Sequence, residues 1–256
     1  PIQDLEDHLF GAKASYEAIL MVKDHEWSKK LQKFALLVPY LQKELPFDEK
    51  YTNELPGETA DIGVYDIIYN KGYSNAGSKL IAINLPLDNH IHITRGNRKL
   101  HFKNTIKAKF DHILLPISKI VIDEEQRSHV KFDAFFQNAM FWEIGNALGI
   151  RNTINDKGPV KEALKEYHNI LNDSKSDLLS LYFITKLDEM SKLDVDIRDN
   201  YVTFMASIFR SVRFGATDAQ GKANMITFYY LEEQGAFTRD EKKGTYKVNF
   251  DIMQDA

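Results

Sequence analysis

The segment Trp142-Glu143-Ile144-Gly145-Asn146 places a glutamate between two positions four residues apart. On a helix, residues i and i+4 share a face. The pattern His-Glu-x-x-His therefore presents two imidazoles to one zinc ion, with the glutamate beside the metal-bound water as general base. Here the glutamate is Glu143, while the two histidine positions hold Trp142 and Asn146. An indole nitrogen has no lone pair to offer a metal, and a carboxamide oxygen is a hard, weak ligand that does not replace imidazole on Zn²⁺. Alone, W-E-x-x-N is no motif. A second possibility lies in His90-Ile91-His92, where alternation turns both imidazoles one way, with His101 as an opposing partner. It lacks a convincing third ligand, and histidines at an exposed strand edge or loop are the simpler reading.

The elements that must position these residues follow from periodicity. Asp133 reads as the N-cap of the helix carrying Glu143, Phe132 as its hydrophobic staple and Gly149 as its stop. Gly158-Pro159 opens a second long helix running through Leu164, Tyr167, Leu171 and Leu178 to about Leu187, which carries Asn172-Asp173-Ser174-Lys175-Ser176-Asp177. His168 precedes Asp173 by five residues, about 140° around an ideal helix, and is poorly placed to share a ligand with it. A third helix spans Tyr201 to about Phe214 and leads into a Gly-containing turn up to Lys222.

Upstream, Ala14 to Glu44 reads as mostly helical, with Leu31, Phe34, Val38, Leu41 and Leu45 forming one apolar stripe that Pro39 kinks or divides. Pro46 to Glu58 is a loop, and Ala108 to Ile122 is helical again. Short β-rich runs at Asp61–Tyr69, Ser78–Leu85 and Lys99–Asn104 suggest a small sheet, with Met225–Tyr230, Gly235–Phe237 and Thr245–Phe250 as further extended segments. The expected fold is α+β: a predominantly α-helical lobe with a small β-sheet subdomain. Residues 1–256 form one unit, with 61–104 and 225–250 as its β-rich part and 108–214 as the helical part. The last residues, Asp251 to Ala256, read as a helix that stops after one turn, which suggests a piece of something longer.

With 256 residues and 43% apolar side chains, the chain can bury a large core. A formal charge of −4 with scattered lysines and arginines gives no basic stripe for nucleic acid. There is no cysteine, which excludes disulfides and thiolate ligands and is compatible with a reducing, cytoplasmic setting. No long apolar run or basic leader is present, so neither a signal peptide nor a membrane span is expected.

Ordered matches along nearly the whole chain carry a resemblance. They include Leu9-Phe10-Gly11-Ala12-Lys13-Ala14-Ser15, Ile83-Asn84-Leu85-Pro86 with Asp88, and Phe132-Asp133-Ala134-Phe135-Phe136. They continue through Leu164-Lys165-Glu166, Lys175-x-Asp177, Leu181-Tyr182, the run Phe209 to Gly215, and Gly221-Lys222. In these residues the chain resembles the bacterial and plant relatives of dipeptidyl peptidase III, a zinc metallopeptidase family. The resemblance implies a helical zinc-carrying lobe, a lobe with a small β-structure and a peptide cleft between them. It places the first zinc-binding histidine at Trp142, the catalytic glutamate at Glu143 and the second histidine at Asn146. The family's Glu-Glu-x-Lys-Ala-Asp pattern, whose second glutamate is the third ligand, falls on Asn172 to Asp177, so that Asp173 stands at the ligand position one methylene short. The assisting histidine of an Ala-His-Gly segment is Gln220. Of an Asn-Leu-Pro-Asn segment that holds the substrate backbone, Asn84 remains and the second asparagine is Leu87. A Glu-x-Tyr pair that grips the substrate amine falls on Gln3 and Leu5.

These substitutions fall on the chemistry and spare the packing. About three protein ligands are needed to hold zinc and bring its water near pKa 7. Asp173 and Asn146 offer a poor two-ligand site, and Glu143 is left without an activated water to deprotonate. The reading that follows is a catalytically inactive homologue without cofactor, natural or engineered, whose partner is a peptide or another protein subunit. The alternative is a metallo-hydrolase with a rearranged site using Glu143, Asp173, Asp177 and His168.

Overall fold

Asp24 marks the first change of structure in the computed structural model. Its side chain accepts a hydrogen bond from the Trp27 backbone N–H and so starts a helix directly after a strand. The structure describes residues 2–7, 13–54, 61–72, 75, 79–85, 98–146, 148–212 and 215–256. Their packing groups the chain into two compact units, Pro1–Leu36 with Glu58–Lys109 and Leu37–Gly57 with Phe110–Ala256.

In the first unit, strands β1 (Ile2–Asp7), β2 (Lys13–Lys23), β3 (Asp61–Gly72), β4 (Ala82–Leu85) and β5 (Arg98–Phe102) form a five-stranded sheet in the order β1-β2-β3-β5-β4. Only the β3–β5 pair is parallel. Ile19, Leu100 and Phe102 make its buried core, with Met21, Ile67, Ile83 and Leu85 packed against them. Helix α1 (His25–Ala35) buries Ser28, Leu31 and Phe34, and the Val64 N–H donates to Ser28 Oγ at 3.1 Å. Lys103 closes the α1 cap with a 2.7 Å ion pair to Asp24.

The helical reading of Ala14 to Glu44 is corrected by β2. Its residues alternate, with Ile19 buried and its neighbours Leu20 and Val22 exposed, and it pairs with a strand on each side. The period is two, and the apolar composition concealed it. Helix α2 (Val38–Lys43) carries Pro39 in its first turn, so the proline divides the stripe.

The second unit is mainly helical. After helix α3 (Lys103–Lys109) of the first unit come a π-helical turn at Phe110–Leu114 and helix α4 (Leu115–Val121). Helix α5 (Phe132–Asn146) starts two residues earlier than expected. Asp133 therefore lies inside its first turn and not at its cap, and Lys131 supplies the carbonyl for the first intrahelical bond, to Phe135 N. Phe132 stacks on Phe110 and Phe136, which draws it into the helix. The second long helix is in fact two. Helix α6 (Val160–Leu164) ends at Lys165, whose φ of 50° breaks the helix, and α7 (Tyr167–Glu189) follows.

Helices α8 (Ile197–Ser211) and α9 (Ala219–Glu233) complete the bundle. Met225–Tyr230, expected as a strand, is the middle of α9. Ala223, Asn224, Thr227 and Leu231 are buried at helical spacing, and Asp218 caps the helix by accepting from Gly221 N. Strands β6 (Phe237–Asp240) and β7 (Thr245–Val248) form a separate two-stranded sheet, with Tyr246 also bridging to Ile122, so among the described residues 225–250 does not join the sheet of 61–104. A short helix α10 (Phe250–Met253) follows. Among the described residues no helix is long and apolar enough to cross a membrane. The fold is α+β, as the sequence suggested.

Candidate functional site

Helix α5 is buried over most of its circumference, through Phe136, Met140, Phe141, Ile144 and Gly145 among others, and can lie only against other helices. It lies on α7. A Cβ added at Gly145 would come within 3.0 Å of the Ser176 carbonyl oxygen and 3.2 Å of Leu179 Cβ, so glycine is what allows the two backbones to approach. That approach sets Trp142, Glu143 and Asn146, all half-buried on α5, beside the Asn172–Asp177 stretch of α7.

A third helix supplies Gln220. The α9 N-terminus is held near its preceding loop by Gly221, where a Cβ would fall onto the Gly215 carbonyl oxygen. Gln220 Nε2 then lies 3.5 Å from Asp177 Oδ2 and 3.4 Å from Asn224 Oδ1.

Asp177 is the meeting point of the three helices. Its residue is 8% exposed, the Gln220 amide donates to it, and the Trp142 indole is close enough to act on its carboxyl as a second neutral donor. Burial, reinforced by the like charge of Asp173, pushes its carboxyl up to about 8, against the lowering effect of those two donors. At neutral pH it therefore holds a proton. Asp173, one turn earlier, is raised by burial and by Asp218, while nearby His168 works in the opposite direction. His168 itself has Nδ1 3.2 Å from Asn169 Oδ1. Lys175 reaches the other way and donates to the Leu148 carbonyl at 2.7 Å. Its half-buried ammonium is pushed down to about 8 by burial alone.

The structure thus brings Trp142, Asp173 and Gln220 to one acid, Asp177, which the sequence offered as the end of a surviving Lys-x-Asp pair and as a member of the alternative rearranged site. Its spacing of four from Asp173 was the available signal. The residues present do not fit zinc. Trp142 contributes a donor to Asp177, and Asp177 carries the proton that a metal ligand must lose.

Asn84 lies on β4, paired with Lys99 in the first unit. His101 is buried on β5 at 3% exposure and is not an exposed edge residue. His90, His92 and Leu87 lie outside the described residues, as does the Leu9–Ala12 stretch. Gln3 and Leu5 are described in backbone only, paired with Glu17 and Ser15.

Sequence reasoning missed one cluster. Among the described residues, His129, Asp196 and Asp199 are the group of three whose ligand atoms lie within 4.8 Å of one another. Both acids are already engaged by cations: Lys131 binds Asp199 at 2.7 Å and Arg198 binds Asp196 at 2.6 Å. His129 Nδ1 lies 2.7 Å from Asp199 Oδ1. The group ties the segment before α5 to the start of α8, which the distance in sequence hid.

Comparison with known proteins gives the following. No protein-family model matches the chain. It is similar over its whole length to the solved dipeptidyl peptidase III of Caldithrix abyssi, at 34% identity and a TM-score of 0.92, covering 50% of that chain. The dipeptidyl-peptidase III of Corallococcus sp. strain EGB matches 95% of this chain at 32% identity and a TM-score of 0.81, with 46% of that chain covered. Among curated proteins, Nudix hydrolase 3 of Arabidopsis thaliana is 35% identical over 261 residues, all of this chain and 33% of that protein. The chain spans about half the length of the solved relatives and a third of the curated one.

Proposed function

We infer that the chain, which belongs to the dipeptidyl peptidase III-like proteins and has their peptidase-core fold, is a catalytically inactive homologue that serves as a binding or structural module. The observation that carries this reading is the placement of Trp142 on α5, beside the Asn172–Asp177 stretch of α7. At the position the resemblance assigns to the first zinc ligand stands a side chain that can only donate and has no lone pair for a metal. Asn146 at the second position and Asp173 at the third leave no imidazole in the set. Gln220, at the position of the assisting histidine, hydrogen-bonds to Asp177 and cannot serve as a general base near pH 7.

The competing idea, hydrolysis through Glu143, Asp173, Asp177 and His168, meets the same obstacle. Asp177 is buried and protonated, and Asp173 is shifted towards its neutral form by burial. Two acids that resist ionisation make a poor cradle for a cation. The partner in this proposal is an extended peptide or a protein subunit, in a cytoplasmic setting compatible with a chain that has no cysteine.

Elemental analysis of protein exposed to excess zinc and then desalted tests the proposal, with a chelator-treated sample alongside. Near-zero zinc is expected. About one tightly held zinc per chain would overturn it.

The Arabidopsis relative carries the name of a Nudix hydrolase, and two thirds of that protein lies outside its match to this chain.

A further inference from the structure

Beside the candidate site, along the stripe of α7 that carries His168, Leu171, Lys175 and Leu179, the second unit contains a cavity of about 350 Å³. It is walled mainly by Leu45, Phe47, Leu164, Leu171 and Leu179, and Lys175 is the cation in its wall. Phe47 and Leu171 are 59% and 45% exposed, so the cavity opens to solvent through apolar side chains. Apolar surface left open around a concave site marks binding more often than accident.

The lysine gives the cavity a chemical preference. An ammonium has three donors. Lys175 gives one to the Leu148 carbonyl, a neutral partner, at 2.7 Å. Among the described residues no carboxylate is paired with it. Asp173 and Asp177 are two residues away on either side of it along α7, and residues two apart on a helix do not face each other. A half-buried cation with donors to spare, set in a wall that is mostly aliphatic and aromatic with His168 and Asn172 as its other polar members, complements one ligand class: an anionic head on an apolar tail. The volume holds on the order of a dozen heavy atoms.

We propose that this cavity binds a small apolar monocarboxylate of medium chain length, its carboxylate on Lys175 Nζ and its hydrocarbon against Leu45, Leu164 and Leu179. Trp142, Asn146 and Asp173 do not line the cavity, although Asn172 and Lys175 belong to the same stretch of α7, and its occupancy does not depend on whether the chain is catalytically inactive.

Titration calorimetry with decanoate, decanol and decylamine on the wild-type chain tests the assignment. Decanoate is expected to bind one to one and at least about tenfold tighter than decanol, with decylamine weakest, as a charge-assisted contact to the lysine requires. Lys175→Met should bring decanoate down to the affinity of decanol, and Leu164→Trp, which fills the cavity, should abolish binding of both. Decanoate binding no tighter than decanol to the wild type overturns the proposal, as does a Lys175→Met variant that binds decanoate unchanged. The comparison among the three ligands needs no variant, so it decides the matter even if Lys175→Met does not fold.

Discussion

Gln220 Nε2 on α9 lies 3.5 Å from the carboxyl of buried Asp177 on α7, and the Trp142 indole on α5 acts on the same carboxyl as a second neutral donor. A buried acid normally needs a counter-charge. This one has two neutral donors and stays protonated.

That arrangement fixes the sign of a pH effect. An unfolded aspartate ionises near pH 4, whereas Asp177 in the folded chain is pushed up to about 8. Below about pH 4 both states are protonated and there is no penalty. Between about 4 and 8 the folded chain retains a proton that the unfolded chain has released, so this group's contribution to stability falls as pH rises. Asp177→Asn keeps the shape without the charge, and is expected to gain roughly 3–5 kcal/mol over wild type above pH 8 and little at pH 4. Denaturant melts of both proteins across that range check it. Parallel stability curves would mean that Asp177 is not the titrating group.

The positions that the resemblance assigns to zinc can be given its ligands. Trp142→His, Asn146→His and Asp173→Glu together recreate two imidazoles and a carboxylate on α5 and α7. The triple variant is expected to bind zinc at least about a hundredfold more tightly than wild type and to release protons as it does so. Competition with a chromophoric chelator measures this. Equal affinity in the two proteins would show that the helices no longer hold the geometry.

Two glycines differ in what a methyl group would strike. At Gly145 it would crowd the Ser176 carbonyl at 3.0 Å, and α5 and α7 can separate slightly to relieve this. The expected cost of Gly145→Ala is about 1–3 kcal/mol. At Gly221 it would fall onto the Gly215 carbonyl, a backbone atom with little room to retreat. Gly221→Ala should therefore lose more stability than Gly145→Ala and weaken the Asp218 cap. Thermal melts of the two variants that rank the other way would contradict this account of the α9 N-terminus.

Lys165 carries a φ of 50° at the break between α6 and α7. A side chain is strained there and glycine is not. Lys165→Gly is expected to stabilise the chain by roughly 0.5–1 kcal/mol, read as a rise in denaturant midpoint with unchanged slope. A fall in the midpoint would place the value of Lys165 in its side chain.

Much of this architecture was legible in the residues. The helix around Glu143 and the division at Pro39 follow from apolar period and proline, both local properties. Strand β2 was misread because Ile19, Leu20, Met21 and Val22 are all apolar, and only burial against neighbouring strands separates the two faces. The Met225–Tyr230 stretch was misread for the converse reason: aromatic and β-branched residues favour strands, but Ala223, Thr227 and Leu231 pack at helical spacing and override that preference. At the site, the sequence named Trp142, Asn146, Asp173 and Gln220 from resemblance. It did not reveal that Asp177 gathers Trp142 and Gln220, because a hydrogen bond between three helices has no local signature.

The close approach of Gly145 to Ser176 bears on how such a chain could change over generations. Helices that meet through glycine and main chain keep their spacing by carbon contact and need no ion to hold them. Drift at the ligand positions is then uncoupled from foldability, and selection can relax on chemistry while still acting on shape. A lineage built this way can lose its ion in single steps, each intermediate still folding.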